Sequence, residues 1–203
     1  MKITTFLTTQ LQTNTYLVLE GASAFVVDPG GRAKEIAEYA KKEGAKIEAV
    51  LLTHAHFDHT GGVAELQELG AEVLLHRDDA ALLTSGGNLA AELGGTLRGF
   101  VPDVTLCGGE ALTVAGLGVR VVHTPGHTAG SVCYIVEDCI FSGDTLFELS
   151  YGRTDFPTGS FSALKNSIVN KLFALSGDYR VYPGHGAPTT LGFERKHNPI
   201  RFD

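Results

Sequence analysis

The chain has 203 residues, 43% hydrophobic and 19% charged, a composition that excludes a disordered polymer and suits a single domain over 1–203. Sixteen basic against 23 acidic residues give a formal net charge of −7, and no lysine or arginine cluster stands out. A nucleic-acid surface and attraction to an anionic membrane are therefore not expected.

Met1 to Leu7 runs straight into polar Thr8-Thr9-Gln10, without the apolar stretch of a signal peptide, and no apolar run reaches membrane-spanning length. The expected location is the cytoplasm. Leu17-Val18-Leu19 and Ala24 to Val27 have strand length, and Asp28-Pro29-Gly30-Gly31 closes the second with turn chemistry. From 32 to 43 the period changes. Ala33, Ile36, Ala37 and Ala40 recur at helical spacing beside charged Lys34, Glu35, Glu38 and Lys41, and Gly44 stops the helix. Ile47 to Leu52 is a strand that feeds Thr53-His54-Ala55-His56-Phe57-Asp58-His59. A helix follows Gly61-Gly62 with Val63, Leu66 and Leu69 on one side, then a strand from Glu72 to Leu75 and a short helix over 77–84. Residues 85–102 are rich in glycine and read as a long surface loop with some helix. Strand-like runs return at 105–106, 111–114, 119–123, 131–136 and 139–142. Helix period returns at Phe161, Leu164, Ile168 and Leu172, and a last strand covers 179–182. Cys133 and Cys139 sit in apolar runs as small core residues; with Cys107 they form no disulfide framework or zinc ribbon, which fits a reduced compartment. Strands and helices alternate in each half, so two sheets between outer helices would bury every apolar face.

Within six residues, His54, His56, Asp58 and His59 offer four ligands of the kind that Zn²⁺, Mn²⁺ and Fe²⁺ accept. Alternate residues point apart, so His54 and His56 would face one ion and Asp58 and His59 another. Three more strand-end turns carry a ligand type beside glycine: Pro125-Gly126-His127, Ser142-Gly143-Asp144 and Pro183-Gly184-His185. A rigid sheet can make such side chains converge while glycine keeps the backbone clear.

Together, in this order, the motifs from Asp28 to His185 resemble the metallo-β-lactamase superfamily. The resemblance implies an α/β fold, an αββα four-layer sandwich of two mixed β-sheets flanked by helices. It implies His54, His56 and His127 on one metal, Asp58, His59 and His185 on the other, and Asp144 bridging them. Asp28 would support the site without ligating; the other reading makes it a turn-former before Pro29-Gly30. His76, His123 and His197 match no ligand position and read as ordinary surface or strand histidines. Two divalent ions are implied, Zn²⁺ first and Fe²⁺ or Mn²⁺ also suited. About 3.5–4 Å apart, such ions share a hydroxide with a pKa near neutrality, and Asp58 would act catalytically by orienting it.

An aspartate at 144 departs from the family's β-lactamases, which carry cysteine there, and argues against an antibiotic hydrolase. Tyr151 to Pro157 and the end from Thr189 to Pro199 look like glyoxalase II, most like its short bacterial members. That implies a thioesterase for S-D-lactoylglutathione or a similar small-molecule thioester. Full-length members add a C-terminal helical domain that helps bind glutathione; the chain ends at Asp203, just after Asn198-Pro199, so that domain is not expected. In those members a lysine and a tyrosine after the bridging aspartate contact glutathione, where this chain offers Arg153 and Asp155. Arg153 would bind a substrate carboxylate or pair with Asp155. The Gly152-Arg153-Thr154-Asp155-Phe156 string also resembles persulfide dioxygenases, which would place one iron on His54, His127 and Asp144. A non-catalytic metal-binding module is the third reading. Oligomeric state has no signal in the sequence.

Overall fold

Two six-stranded sheets carry the chain in the computed structural model, which describes residues 1–95 and 97–202. The first half supplies β1 (Lys2–Thr8), β2 (Thr13–Glu20), β3 (Ser23–Val27), α1 (Ala33–Lys42), β4 (Lys46–Leu51), α2 (Phe57–Thr60), α3 (Val63–Glu68), β5 (Glu72–His76) and β6 (Val104–Leu106). Its sheet runs in the order β1-β2-β3-β4-β5-β6, antiparallel as far as β3 and parallel beyond. The second half supplies β7 (Ala111–Val114), β8 (Leu117–His123), β9 (Val132–Val136), β10 (Cys139–Gly143), the small hairpin of β11 (Leu146–Phe147) and β12 (Ser150–Tyr151), α4 (Phe161–Asn166), β13 (Arg180–Pro183), β14 (Thr189–Thr190) and α5 (Leu191–His197). Its sheet is ordered β14-β13-β10-β9-β8-β7, with β10 and β13 the parallel pair.

The period of two along each strand sorts the apolar side chains into layers. Leu17, Val26, Val50 and Val73 pack outward under α1 and α3 with Ile36 and Leu66. Their neighbours Val18, Phe25, Val27 and Leu51 face the other sheet and meet Val119, Val121, Tyr134 and Phe141. On the far side Cys133, Ile135, Ile140 and Val181 lie under Leu164, Ile168 and Leu191. Three apolar interfaces between four layers are the αββα sandwich. Tyr134 ties the sheets together: its buried hydroxyl donates to the Leu52 carbonyl at 2.8 Å.

Several local expectations shift. The polar N-terminus, given no strand from its sequence, forms β1 by pairing along its whole length with β2. Leu69, expected on the buried side of its helix, is 59% exposed because α3 ends at Glu68. Residues 77–84 form a 3-10 helix, and the helical run after Phe161 passes from α-helix into a π-helical turn at Ser167–Leu172. In 85–102 the expected surface loop is partly buried at Leu89 and Ala90. No helix among the described residues is long and apolar enough to cross a membrane.

The cysteines separate cleanly. Cys133 and Cys139 are buried and burial pushes both thiols up to about 11, whereas Cys107 is exposed. A maleimide at neutral pH should therefore modify one thiol per native chain and three after denaturation, read by mass spectrometry. Rapid native labelling of Cys133 would contradict this packing.

Candidate metal centre

Every candidate ligand leaves the carboxyl end of a strand, where parallel strands of layered α/β folds place their functional groups. Asp28 follows β3, His54 to His59 follow β4, His127 follows β8, Asp144 follows β10 and His185 follows β13. The tight turns need close backbone approach. A Cβ on Gly30 would lie 1.8 Å from the Asp58 carbonyl oxygen, so only glycine lets this turn pack against α2, which carries Asp58 and His59.

Among the described residues four groups of donors have ligand atoms mutually within 4.8 Å: His54, His56 and His127; Asp58, His59 and His185; Asp28, His54 and His59, which links the first two; and His76, Asp78 and His123, apart from them. Asp144 stands between the first two. Its Oδ2 is 3.5 Å from His127 Nε2 and 3.6 Å from His185 Nε2, and its Oδ1 is 3.4 Å from His59 Nε2. The seven residues expected to surround two ions are thus brought together in the expected groups.

The ring nitrogens pointing away from the centre are held in place. His59 Nδ1 lies 3.0 Å from Asp28 Oδ2, His127 Nδ1 2.7 Å from the Arg153 carbonyl and His185 Nδ1 3.2 Å from the Leu11 carbonyl. Thr53 Oγ1 donates to Asp28 Oδ2 and so accepts from His54 Nδ1 at 3.0 Å. With Nδ1 carrying the proton in each of these four rings, each Nε2 presents a lone pair inward, the arrangement by which a protein fixes metal-binding imidazoles. His56 differs: its Nδ1 lies 2.9 Å from His127 Nε2. A proton on His56 or a cation between the two lone pairs satisfies that contact.

The buried atoms test whether a metal fits. His54 Nε2, His56 Nε2, His59 Nε2 and Asp144 Oδ1 are buried without a hydrogen-bond partner. Four such atoms in one place carry a heavy desolvation cost as protein alone. Three of them, all but His56 Nε2, face the donor groups and suit divalent ions. Burial and neighbouring histidines hold His54 and His56 below the ordinary histidine range, in the neutral state that can ligate. Burial opposes a charge on His59, but Asp58, Asp144 and Asp28 outweigh it and raise its pKa to about 10, so without a metal its Nε2 carries a proton that a bound cation would displace to free the lone pair. Burial would also raise the Asp58 carboxyl; His59, His185 and a 2.8 Å hydrogen bond from Thr13 Oγ1 reverse this and hold it below the usual carboxylate range.

Asp28 combines turn geometry with hydrogen bonds to the site. Its φ of 49° is left-handed, while Oδ1 accepts from the Thr53 amide and Oδ2 from the Thr53 hydroxyl and His59. Asparagine tolerates that backbone but offers a single acceptor oxygen. Asp28→Asn should weaken metal binding about 10- to 100-fold, measured by competition with a chromogenic chelator. Unchanged affinity would remove the support role.

Asp79 escaped the sequence reading. It is fully buried, and burial raises its pKa. Its Oδ2 accepts from the Ala55 amide and the Thr128 hydroxyl, and its Oδ1 from the Gly130 amide, clamping the His54–His59 turn to the His127 loop. The available signal was its place after a strand, the position of every other site residue. His76, read as ordinary, is buried and stacks on His123 at 4.2 Å, outside the centre. Arg153 pairs with Asp155 through two hydrogen bonds, of 2.9 and 2.6 Å. The C-terminal motif acts indirectly: buried Glu194 accepts from the Leu149 amide and Asn198 donates to the Ser150 carbonyl, bracing the β11–β12 hairpin beside the site.

A family model described as "Metallo-beta-lactamase superfamily" matches residues 8–185. The chain belongs to the metallo-beta-lactamase superfamily. A Haemophilus influenzae relative named hydroxyacylglutathione hydrolase GloC is 35% identical over 199 residues, covering 95% of this chain and 94% of that protein. Among solved structures, the BLEG-1 B3 metallo-beta-lactamase superposes with a TM-score of 0.92 at 36% identity, covering 98% of this chain and 99% of that one. TTHA1623 in a di-iron-bound form gives 0.87 at 37% identity, with 97% and 99% covered. ETHE1 from Myxococcus xanthus gives 0.83 at 28%, with 98% and 84% covered. BLEG-1 is named a B3 metallo-beta-lactamase, so overall likeness does not separate this chain from proteins of that name.

Proposed function

We propose that the protein is a metal-dependent thioester hydrolase of glyoxalase II type, acting on S-D-lactoylglutathione or a similar thioester with two divalent metal ions. The observation that carries this is the meeting of two donor groups at one carboxylate, Asp144, with inward lone pairs that no protein group satisfies. The likeness to GloC supports the thioester, and the di-iron form of TTHA1623 supports a binuclear centre. Zn²⁺ is the first choice, with Fe²⁺ or Mn²⁺ also suited to these ligands.

When bound, the ions supply a hydroxide near neutral pH and polarise the scissile carbonyl. The chain does the rest. His54, His56 and His127 would hold one ion and Asp58, His59 and His185 the other, with Asp144 reaching both. Asp58, kept ionised and anchored by Thr13, can accept a hydrogen bond from the attacking oxygen and orient it. A cleft of about 400 Å³ opens onto His56, Asp58, His127, Asp144 and His185. Three unpaired cysteines support a cytoplasmic setting.

The test is metal content per chain with turnover of S-D-lactoylglutathione on the same sample, and a β-lactam assayed beside it. About two metals with thioester turnover supports the proposal; two metals without cleavage of any thioester overturns it. The second reading, a mononuclear iron persulfide dioxygenase on His54, His127 and Asp144, rests on the Gly152–Phe156 string, whose Arg153 carbonyl orients His127, and on the likeness to ETHE1. One iron and oxygen uptake with a persulfide would favour it.

A further inference from the structure

The walls of the cleft say more about the substrate than the metal ligands do. Beyond the donors, the cleft is lined by Leu11, Leu89, Leu93, Phe147, Tyr151 and Phe156. These surround the centre rather than one side of it: Phe156 lies 5.7 Å from the His56 ring and Phe147 6.3 Å from the His185 ring. Leu11 and Leu93 stay about half exposed at the mouth, 47% and 51%, so apolar surface continues out to solvent. Among the described lining residues Arg153 is the sole lysine or arginine. Its guanidinium is held by the Asp155 carboxylate and lies over the Phe156 ring at 4.1 Å. The cleft's one arginine is therefore already paired, and the charge of the two ions proposed for its floor is met there by Asp58, Asp144 and the hydroxide.

Resting on the thioesterase reading, we infer that the natural substrate is a thioester of an uncharged, apolar thiol rather than of glutathione. Glutathione carries two carboxylates and an ammonium, and above the metal floor the described lining residues offer no unpaired lysine or arginine to receive the carboxylates. An aliphatic thiol would cover Leu11, Leu89, Leu93 and Phe147 and release their water. Asp155 is the specificity determinant, because it withholds Arg153 from a substrate carboxylate.

The experiment compares kcat/KM of the metal-loaded protein for D-lactoyl thioesters of glutathione, N-acetylcysteamine and N-octanoylcysteamine, aliphatic thiols of similar leaving-group character. The octanoyl compound should exceed the glutathione ester by roughly tenfold or more, the scale on which apolar pockets discriminate. A glutathione ester turned over as well or better overturns the inference and leaves the thioesterase reading standing. Cleavage of none of the three overturns both. Asp155→Ala should raise the ratio of glutathione to octanoyl turnover by up to roughly fivefold, the scale of an exposed ion pair. An unchanged ratio removes Asp155 from that role.

Discussion

Asp144→Ala should leave at most one tightly held metal per chain and lower thioester turnover by roughly 10³-fold, the scale of losing metal-based charge stabilisation. The carboxylate lies within 3.6 Å of nitrogens from both donor groups, His127 on one side and His59 and His185 on the other. His56→Ala should also abolish turnover but cost less metal, because it removes a donor from one group alone. Folding should survive Asp144→Ala, since Oδ1 has no hydrogen-bond partner to lose. The readouts are metal analysis after gel filtration, kcat/KM, and the circular dichroism spectrum. Equal metal occupancy in the wild type and Asp144→Ala would contradict the bridging role.

The second large effect is expected at a residue with no functional group. A methyl on Gly184 would lie 2.2 Å from Asp144 Oδ1 and 2.7 Å from His59 Cε1, inside the centre itself. Its φ is not left-handed, so glycine is needed there for space alone. Gly184→Ala must displace Asp144 or His59, and we expect metal affinity or activity to fall about 100-fold. Gly186→Ala is the matched control. Gly186 has a φ of 78° and open space around it, so alanine should cost about 1 kcal/mol of backbone strain while the metals stay bound. Urea titration and metal analysis of both variants separate the two costs. If the two behave alike, the crowding argument fails.

Much of the fold was legible because its determinants are local. The period of two in β2 to β5 and in β9 assigns each apolar residue to one of two faces, and the helical spacing of Ala33, Ile36 and Ala40 marks α1. Less legible elements depend on remote partners. β1 is polar and amphipathic only in the context of β2, and the two-residue β14 exists through its pairing with β13. Leu69 obeys the helical period and still faces solvent, because a period cannot say where a helix ends against its sheet.

The site divides along the same line. Residue type and strand-end position were enough to name His54, His56, Asp58, His59, His127, Asp144 and His185, because metal ligands are restricted to a few side chains and glycine marks the turns that present them. The two triads and the interposed Asp144 arise only when β4, β8, β10 and β13 end on one rim, which the order of strands in two sheets decides. The same holds for the groups that orient the ligands: the Leu11 and Arg153 carbonyls lie 174 and 26 residues from the histidines they hold, and Asp79 is 49 residues from Thr128. Hydrogen bonds over such separations leave no spacing in the sequence. The sequence by itself thus determined which metal-ligating side chains the chain carries, and it placed Asp155 within reach of Arg153; the tertiary structure decided how the donors group and which ring nitrogen each presents, because those depend on which distant strand ends are brought together.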